Sequence, residues 1–178
     1  DEGVWEEVIT GIADEEGGLN VLVNNAGIAI GVAVTEMSLA DWQRQNAVNL
    51  DGVFLGTKHA IPLMAQSGGG SIINISSVAG LIGAGGLAGY CATKGGVRLF
   101  TKAVAIECAA GDTNIRVNSV HPGIIDTDIW GKEISGIAQG QPELMVEGAN
   151  RINIEAFTDT LVPGGRVGQP EEVAQGVV

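Results

Sequence analysis

The chain has 178 residues, a length that suits one domain, and 45% of them are hydrophobic while only 17% are charged. Nine basic residues against 21 acidic ones give a net charge of −12, which argues against nucleic acid or an anionic membrane as a partner, because phosphate binding needs clustered Lys and Arg. No apolar run reaches the length of about 18 residues that a membrane span needs, and no stretch has the pattern of a signal peptide. A cytoplasmic protein is therefore expected. Cys91 and Cys108 lack metal or disulfide spacing and are expected to be reduced thiols.

Two helices and one strand are predicted in the first third of the chain. Apolar residues at helical spacing predict a helix over residues 4–13, which Gly17-Gly18 ends. Residues 19–23 form a short apolar run that suits a strand buried on both faces. A Ser-x-x-Asp pattern, which resembles a capping box, opens a long helix over residues 38–66, and Pro62 is expected to kink that helix near its end.

The rest of the chain continues the alternation of strands and helices. A strand is predicted over residues 71–76, a helix over 89–110 and a third strand over 115–120. Residues 128–165 are expected to form an irregular, partly helical excursion. Pro170 then begins a last helix, with acidic residues placed against the helix dipole. This alternation predicts an α/β fold with a parallel sheet.

Three polar or glycine-containing segments directly follow the three predicted strands. They are Asn25 to Gly27, Ser77, and Pro122 to Thr127. In open parallel sheets, ligands bind outside the carboxyl ends of the strands. The three segments are therefore expected to meet at one rim of the sheet.

The only tyrosine, Tyr90, lies four residues before Lys94 and thirteen after Ser77. Positions i and i+4 share one face of a helix, so the phenol and the ammonium are expected to share a pocket. A cation about 4 Å away would favour the phenolate by roughly 4 kcal/mol, enough to move the pKa of Tyr90 from about 10 toward roughly 7. Such a phenol exchanges protons with an alcohol or ketone, while the Ser77 hydroxyl would hold the substrate oxygen. Taken alone the pair is weak evidence, since many helices carry packed or solvated Tyr-x-x-x-Lys neighbours.

Three further motifs, in a fixed order along the chain, strengthen the evidence from the Tyr90–Lys94 pair. These are Asn24-Asn25-Ala26-Gly27, Asn49 within Asn46-Ala47-Val48-Asn49-Leu50, and Pro122-Gly123-Ile124-Ile125-Asp126-Thr127. Together with Ser77 and the Tyr-Lys pair, this set resembles the short-chain dehydrogenase/reductase family from about residue 4 to the end of the chain. The resemblance implies a partial Rossmann-type doubly wound parallel sheet, NAD or NADP as cofactor, and a catalytic tetrad of Asn49, Ser77, Tyr90 and Lys94.

The resemblance also implies the roles of single residues. Asn49 would perturb its helix locally and hold a water that links Lys94 to solvent, and Lys94 would hold the nicotinamide ribose. Without the resemblance, Asn49 is an ordinary helix amide, and the segments after the first and third strands are plain turns. Ser76 competes with Ser77, but the spacing to Tyr90 selects Ser77; His59 and His121 are expected to be structural. The cofactor-binding residues that the resemblance implies are Asn25, Ala26, Gly27, Tyr90, Lys94, Pro122, Gly123, Ile125 and Thr127.

The chain departs from the family pattern at both ends. The glycine-rich turn that follows the family's first strand is absent, and residues 83–88, which match Gly-x-Gly-x-x-Gly/Ala, lie instead in the loop between Ser77 and Tyr90. That loop is interpreted as substrate-side. Residues 1–178 are therefore expected to be one truncated Rossmann domain, an internal fragment that does not bind the dinucleotide alone and exposes the edge of strand 19–23. The residue that selects NAD or NADP is expected to precede the chain.

Apolar residues of the excursion predict a hydrophobic substrate. A neutral secondary alcohol or ketone of the hydroxysteroid or cyclic-alcohol type is expected; the alternatives are a 3-oxoacyl carrier-protein reductase and a non-catalytic scaffold on the same fold. The resemblance further implies a homo-oligomer, a dimer or tetramer, formed through helices 38–66 and 89–110. The apolar residues of the excursion are Ile129, Trp130, Ile134, Ile137, Leu144, Met145, Ile152, Ile154 and Phe157.

Overall fold

A computed structural model describes residues 1–131, 133–139, 141–156, 158 and 162–177. Its sheet contains strands β1 (Val21–Asn24), β2 (Gly70–Ile75) and β3 (Ile115–Val120), all parallel and in the order β1-β2-β3. In one row of this sheet Leu22 pairs with Ile72, which pairs with Val117. The predicted parallel α/β sheet is confirmed.

The helices also lie where the sequence predicts them. The long helix over residues 38–66 is a continuous helical run, in which a π-helical turn at Ala47–Asp51 joins two α-helices. None of the described helices has both the length and the apolar character that crossing a bilayer requires. The α-helices whose full extent lies within the described residues are α1 (Glu2–Glu16), α2 (Leu39–Asn46), α3 (Gly52–Gln66), α4 (Ala88–Ala110) and α5 (Pro170–Gln175).

Local signals in the sequence fix several helix ends. The C-cap of α1 is Gly17, whose φ of 75° is left-handed and whose N–H donates to the Ala13 carbonyl. The α2 cap is Ser38, whose hydroxyl oxygen accepts from the Asp41 N–H at 3.0 Å. Within α3, Pro62 is tolerated, and the helix continues to Gln66.

One face of the sheet packs against α1, α3 and α4. Leu22, Ile72 and Val117 point to this face and form a core with apolar side chains of the three helices, including the buried Cys108 thiol. The prediction that the first strand is buried on both faces is wrong, because Val21 and Val23 are 58% and 41% exposed. Alternate side chains of a strand point to opposite faces, and only Leu22 and Asn24 of β1 point toward α3.

The described part of residues 128–165 is irregular and partly helical, as predicted. It contains 3₁₀ turns at Asp128–Trp130, Ser135–Ala138 and Pro142–Leu144, and an isolated bridge joins Met145 to Ile152. Its apolar residues pack with the Tyr90 ring in a second core cluster, built on Ala29, Ile134, Ala138, Ile152 and Ile154. Of the apolar residues predicted for this segment, Phe157 lies outside the described residues.

Candidate active site

The carboxyl ends of the three strands bring the predicted segments to one rim of the sheet. Asn24 at the end of β1 pairs with Asn74, and Ile75 at the end of β2 pairs with Val120 at the end of β3. Beyond the strands, the Val78 N–H donates to the Pro122 carbonyl at 3.0 Å. The exposed segment 25–27, the serine pair and the segment 122–127 therefore share this rim, as the sequence predicts.

Ser77 and Tyr90 are buried together at the rim. Tyr90 lies in the first turn of α4 and is 9% exposed, while Ser77 is 8% exposed. The Ser77 hydroxyl oxygen accepts from the Ala79 N–H at 3.1 Å, which fixes it at the start of a short 3₁₀ turn, Val78–Gly80. Burial raises the pKa of Tyr90, and a hydrogen bond with Ser77 opposes this only in part.

The prediction that Lys94 lowers the pKa of Tyr90 toward 7 is wrong for this arrangement. The Lys94 Nζ lies 5.8 Å from the centroid of the Tyr90 ring and donates to the Ile75 carbonyl at 2.8 Å. Burial lowers the pKa of Lys94 itself to about 8. The loss of solvation at the phenol therefore outweighs any attraction from the ammonium, and the neutral form of the phenol is favoured.

Lys94, Asn49 and Gly27 converge on one point. A Cβ atom on Gly27 would lie 3.2 Å from the Lys94 Nζ and 3.5 Å from the Asn49 Oδ1. The missing side chain of Gly27 thus leaves room next to the ammonium, which has three N–H donors and gives one of them to the Ile75 carbonyl. The remaining donors suit a hydroxyl-bearing ligand such as a ribose, so these residues fit the nicotinamide half of the expected cofactor.

Asn49 lies in the π-helical turn, which agrees with the local perturbation of the helix that the family resemblance implies. The side chain is fully buried, and its Oδ1 accepts from the Ile28 N–H at 2.8 Å. Its Nδ2 donates to the Ile28 carbonyl at 2.8 Å and to the Thr93 hydroxyl at 3.1 Å. π-Helical turns concentrate at functional sites. The water-holding role of Asn49 stays a prediction.

Ser76 differs from Ser77 in what its hydroxyl does. The Ser76 Oγ donates to the Lys94 backbone carbonyl at 2.8 Å, deep in the interior. Close by, Gly80 approaches the α4 backbone so tightly that a Cβ would lie 2.7 Å from the Lys94 carbonyl oxygen. Ser76 therefore ties the end of β2 to α4, whereas Ser77 faces Tyr90, in agreement with the choice made from spacing.

The segment that follows β3 lies at the rim and is partly exposed. Ile125 forms an isolated bridge with Gly168, and its carbonyl accepts from the Trp130 indole N–H at 2.7 Å. Gly123 is exposed, and Pro122 and Thr127 are half-buried. Their contact with a cofactor stays a prediction.

Sequence reasoning missed a buried polar chain under the rim. The Asn24 Nδ2 donates to the Asn74 Oδ1 at 2.8 Å and lies 3.2 Å from the Thr57 hydroxyl of α3. The Asn74 Nδ2 in turn donates to the Thr101 hydroxyl of α4 at 3.0 Å. Two asparagines at inward positions of otherwise apolar strands were the available signal.

The two histidines have different surroundings. His59 lies in α3, with its Nε2 3.3 Å from a Glu2 carboxylate oxygen. His121 lies at the rim, directly after β3, with both ring nitrogens close to polar atoms. A structural role is expected for both because neither belongs to a motif in the sequence. The sequence does not show which residues become their neighbours in the folded chain.

Comparison with known proteins supports the motif-based interpretation. A family model described as short chain dehydrogenase matches residues 1–137. The chain is 37% identical to the NADP-dependent (R)-specific alcohol dehydrogenase of Lentilactobacillus kefiri, over 98% of the chain and 63% of that protein. It is 41% identical to the cyclopentanol dehydrogenase of Comamonas testosteroni, over 99% of the chain and 64% of that protein.

The name of a third relative refers to steroids. The 3-alpha-(or 20-beta)-hydroxysteroid dehydrogenase of Mycobacterium tuberculosis is 44% identical over 83% of the chain and 57% of that protein. The chain therefore spans somewhat less than two thirds of the length of these curated relatives.

Proposed function

Because the chain belongs to the short chain dehydrogenase family, we propose that it carries the catalytic part of an NAD- or NADP-dependent oxidoreductase. The reaction would interconvert a hydrophobic secondary alcohol and its ketone. The observation that carries this proposal is the burial of the Ser77 and Tyr90 hydroxyls together at the rim, one helical turn from Lys94.

The nicotinamide half of the cofactor would lie along the rim. The proposed contacts are the segment 25–27, the free donors of Lys94 and the segment 122–127. When bound, the nicotinamide supplies the hydride chemistry, while the protein supplies orientation and a dry site. The exposed backbone at Asn25, Ala26 and Gly27 leaves this edge accessible.

Tyr90 and Ser77 would act on the reacting oxygen of the substrate. In the reductive direction, the Tyr90 phenol donates its proton to the carbonyl oxygen, which also accepts a hydrogen bond from the Ser77 hydroxyl. In the oxidative direction, the phenolate takes the proton of the alcohol. Because burial raises the pKa of Tyr90, the protonated phenol is the resting form of this site.

The surroundings of Tyr90 favour an apolar substrate. Its ring packs in one apolar cluster with Ile134, Ile152 and Ile154. The names of the relatives point the same way, toward cyclic alcohols and hydroxysteroids. A 3-oxoacyl carrier-protein reductase is less well supported, because a carrier protein is acidic and this chain carries 21 acidic against nine basic residues.

A substrate panel tests the proposal. The full-length protein is assayed with cyclopentanol, cyclohexanol, a 3-hydroxysteroid and a 3-oxoacyl thioester, each with NAD(H) and NADP(H). We expect turnover of at least one cyclic or steroid alcohol or its ketone. Turnover of the thioester alone would favour the carrier-protein reductase, and binding of cofactor with no turnover of any substrate would favour the non-catalytic scaffold.

We also expect a cytoplasmic homo-oligomer, a dimer or tetramer. Large apolar side chains are exposed on the helices over residues 38–66 and 89–110: Leu39 is 70% exposed, Leu99 65% and Ile106 72%. Contact between copies through these helices would cover them. Sedimentation of the full-length protein as a monomer at micromolar concentration would contradict this expectation.

A further inference from the structure

The His121 ring contacts the backbone carbonyl of Ser77, the serine that we propose binds the substrate oxygen. The His121 Nδ1 lies 3.1 Å from the Ser77 carbonyl oxygen, and the Nε2 lies 2.9 Å from the Ser119 Oγ. The ring is half-buried and bridges the end of β3 and the residue that follows β2. The proposed reaction gives this side chain no role.

The partners of the ring determine where its proton sits. A carbonyl oxygen can only accept a hydrogen bond, so the Nδ1 must carry the proton that is donated to Ser77. In the neutral ring the Nε2 is then an acceptor, and the Ser119 hydroxyl is its donor. Both nitrogens are engaged, so the orientation of the ring is fixed by two elements.

The backbone around Ser77 is hydrogen-bonded to residues 120–122, the segment that contains His121. The Ser76 N–H donates to the Val120 carbonyl at 2.8 Å, and the Val78 N–H donates to the Pro122 carbonyl at 3.0 Å. The Ser77 carbonyl accepts from the Gly80 N–H at 2.9 Å and from the His121 ring. The His121 ring thus adds a side-chain hydrogen bond to the backbone hydrogen bonds that fix the Ser77 peptide.

We infer that His121 is a positioning residue: its Nδ1–H holds the Ser77 peptide so that the Ser77 hydroxyl faces Tyr90 and the substrate oxygen. As a statement about catalysis, this rests on the proposed oxidoreductase function. The contact itself does not depend on that function. Its physical basis is that a hydroxyl on a rotating peptide loses the fixed geometry on which hydrogen-bond catalysis depends.

A pair of isosteric substitutions separates this role from simple packing. His121→Asn places an amide N–H donor where the Nδ1 lies, whereas His121→Gln places its amide where the Nε2 lies, next to Ser119. We expect about a tenfold loss of kcat in His121→Gln, the effect of one hydrogen bond of about 1.4 kcal/mol, and about twofold or less in His121→Asn. Ser119→Ala, which leaves the Nδ1 donor in place, is the control and is expected to stay within about twofold of the parent.

A second measurement works without catalysis. Tyr90 is the only tyrosine of these 178 residues, and subtracting the ultraviolet titration of a Tyr90→Phe reference isolates the absorbance of its phenolate in each protein. The hydrogen bond with Ser77 lowers the pKa of Tyr90, so displacing the Ser77 hydroxyl should raise it further. We expect this rise in His121→Gln and not in His121→Asn.

The outcomes separate this inference from the proposed function. Equal Tyr90 titration in the Gln variant, the Asn variant and the parent would overturn the positioning role, whatever the activity. Equal kcat in the two variants would overturn it as well. If the parent turned over no alcohol or ketone, the proposed function would fail, while the titration would still decide whether His121 positions Ser77.

Discussion

At the rim of the sheet, each proposed catalytic side chain stands on a helix or directly after a strand, whereas the segment 128–165 that packs on Tyr90 consists of short 3₁₀ turns and irregular chain. The rim is positioned by strand register and by buried hydrogen bonds such as that between Asn24 and Asn74. The segment is positioned mainly by apolar side chains. In the proposed function, the regular part of the fold would therefore position the reacting groups, and the covering segment could change without disturbing them.

The covering segment meets the rest of the fold at a close backbone contact. The Gly31 N–H donates to the Glu133 carbonyl at 2.9 Å, and the Arg44 guanidinium lies 2.8 Å from the Glu133 carboxylate. A Cβ on Gly136 would lie only 1.8 Å from the Gly31 carbonyl oxygen. Among the described residues, these contacts join the covering segment to the part of the fold around Gly31 and Arg44, in addition to its apolar packing.

Removal of the Tyr90 hydroxyl should have the largest effect. A positioned acid or base contributes roughly 10²–10⁴ in rate, so Tyr90→Phe in the full-length protein is expected to lose about that factor in kcat. The thermal midpoint should change little, because the ring remains packed in its apolar cluster. Steady-state kinetics and thermal melts check both. Turnover by the Phe variant within a few-fold of the parent would mean that another group moves the proton.

The buried Lys94 should make stability depend on pH. Burial lowers its pKa in the folded chain to about 8, whereas an unfolded lysine titrates near about 10.4. Between these values the unfolded chain binds one proton more, so stability rises with pH from about 8 to about 10; below about 8 both states are charged and the full burial penalty applies. The pKa difference corresponds to about 3 kcal/mol.

Urea unfolding of the parent and of Lys94→Met, at several pH values below about 10, isolates this contribution. The Met variant should lack the rise. Lys102→Met removes an exposed lysine from the same helix and should behave like the parent. A difference between parent and Lys94→Met that stays constant across this pH range would show that Lys94 is not desolvated.

The polar chain under the rim should contribute less. Asn74→Ala removes two buried hydrogen bonds, one with the Asn24 amide and one with the Thr101 hydroxyl, and at about 0.5–1.5 kcal/mol for each bond the loss is about 1–3 kcal/mol. Asn118→Ala removes an exposed asparagine from β3 and is the matched control. Denaturant unfolding measures both. Equal stability of the two variants would contradict the claim that the rim is held by this chain.

Much of the rim could be predicted because its signals are local. Helix caps such as Ser38 and Gly17 are written in the sequence, and the position of Ser77 follows from its spacing to Tyr90. The family resemblance then indicated Asn49, whose catalytic role stays a prediction, and the structure shows a π-helical turn around it.

The wrong or missing predictions concern properties that depend on burial or on contacts between residues that are distant in the sequence. The sequence shows that Lys94 and Tyr90 share a helix face, but the desolvation that raises one pKa and lowers the other depends on the folded surroundings. Likewise, an apolar run does not reveal that Val21 and Val23 point away from the helices. The contact of His121 with Ser77 joins residues 44 positions apart and has no local signal.

The smallest expected effect on kcat lies in the covering segment, and it sharpens the comparison with the rim. In Gly136→Ala the new methyl cannot fit beside the Gly31 carbonyl, so the segment must shift, at a cost typical of overpacking, about 1–3 kcal/mol. Gly164→Ala adds a methyl in the same part of the chain, where none of the described residues lies within 4 Å of the new atom, and is the matched control. We expect Gly136→Ala to raise KM for a cyclic alcohol several-fold with kcat nearly unchanged, since the rim keeps its register while the cover over Tyr90 loosens. If kcat instead fell as far as KM rose, the segment would be part of the positioning of the reacting groups, and the division between a fixed rim and an adjustable cover would not hold.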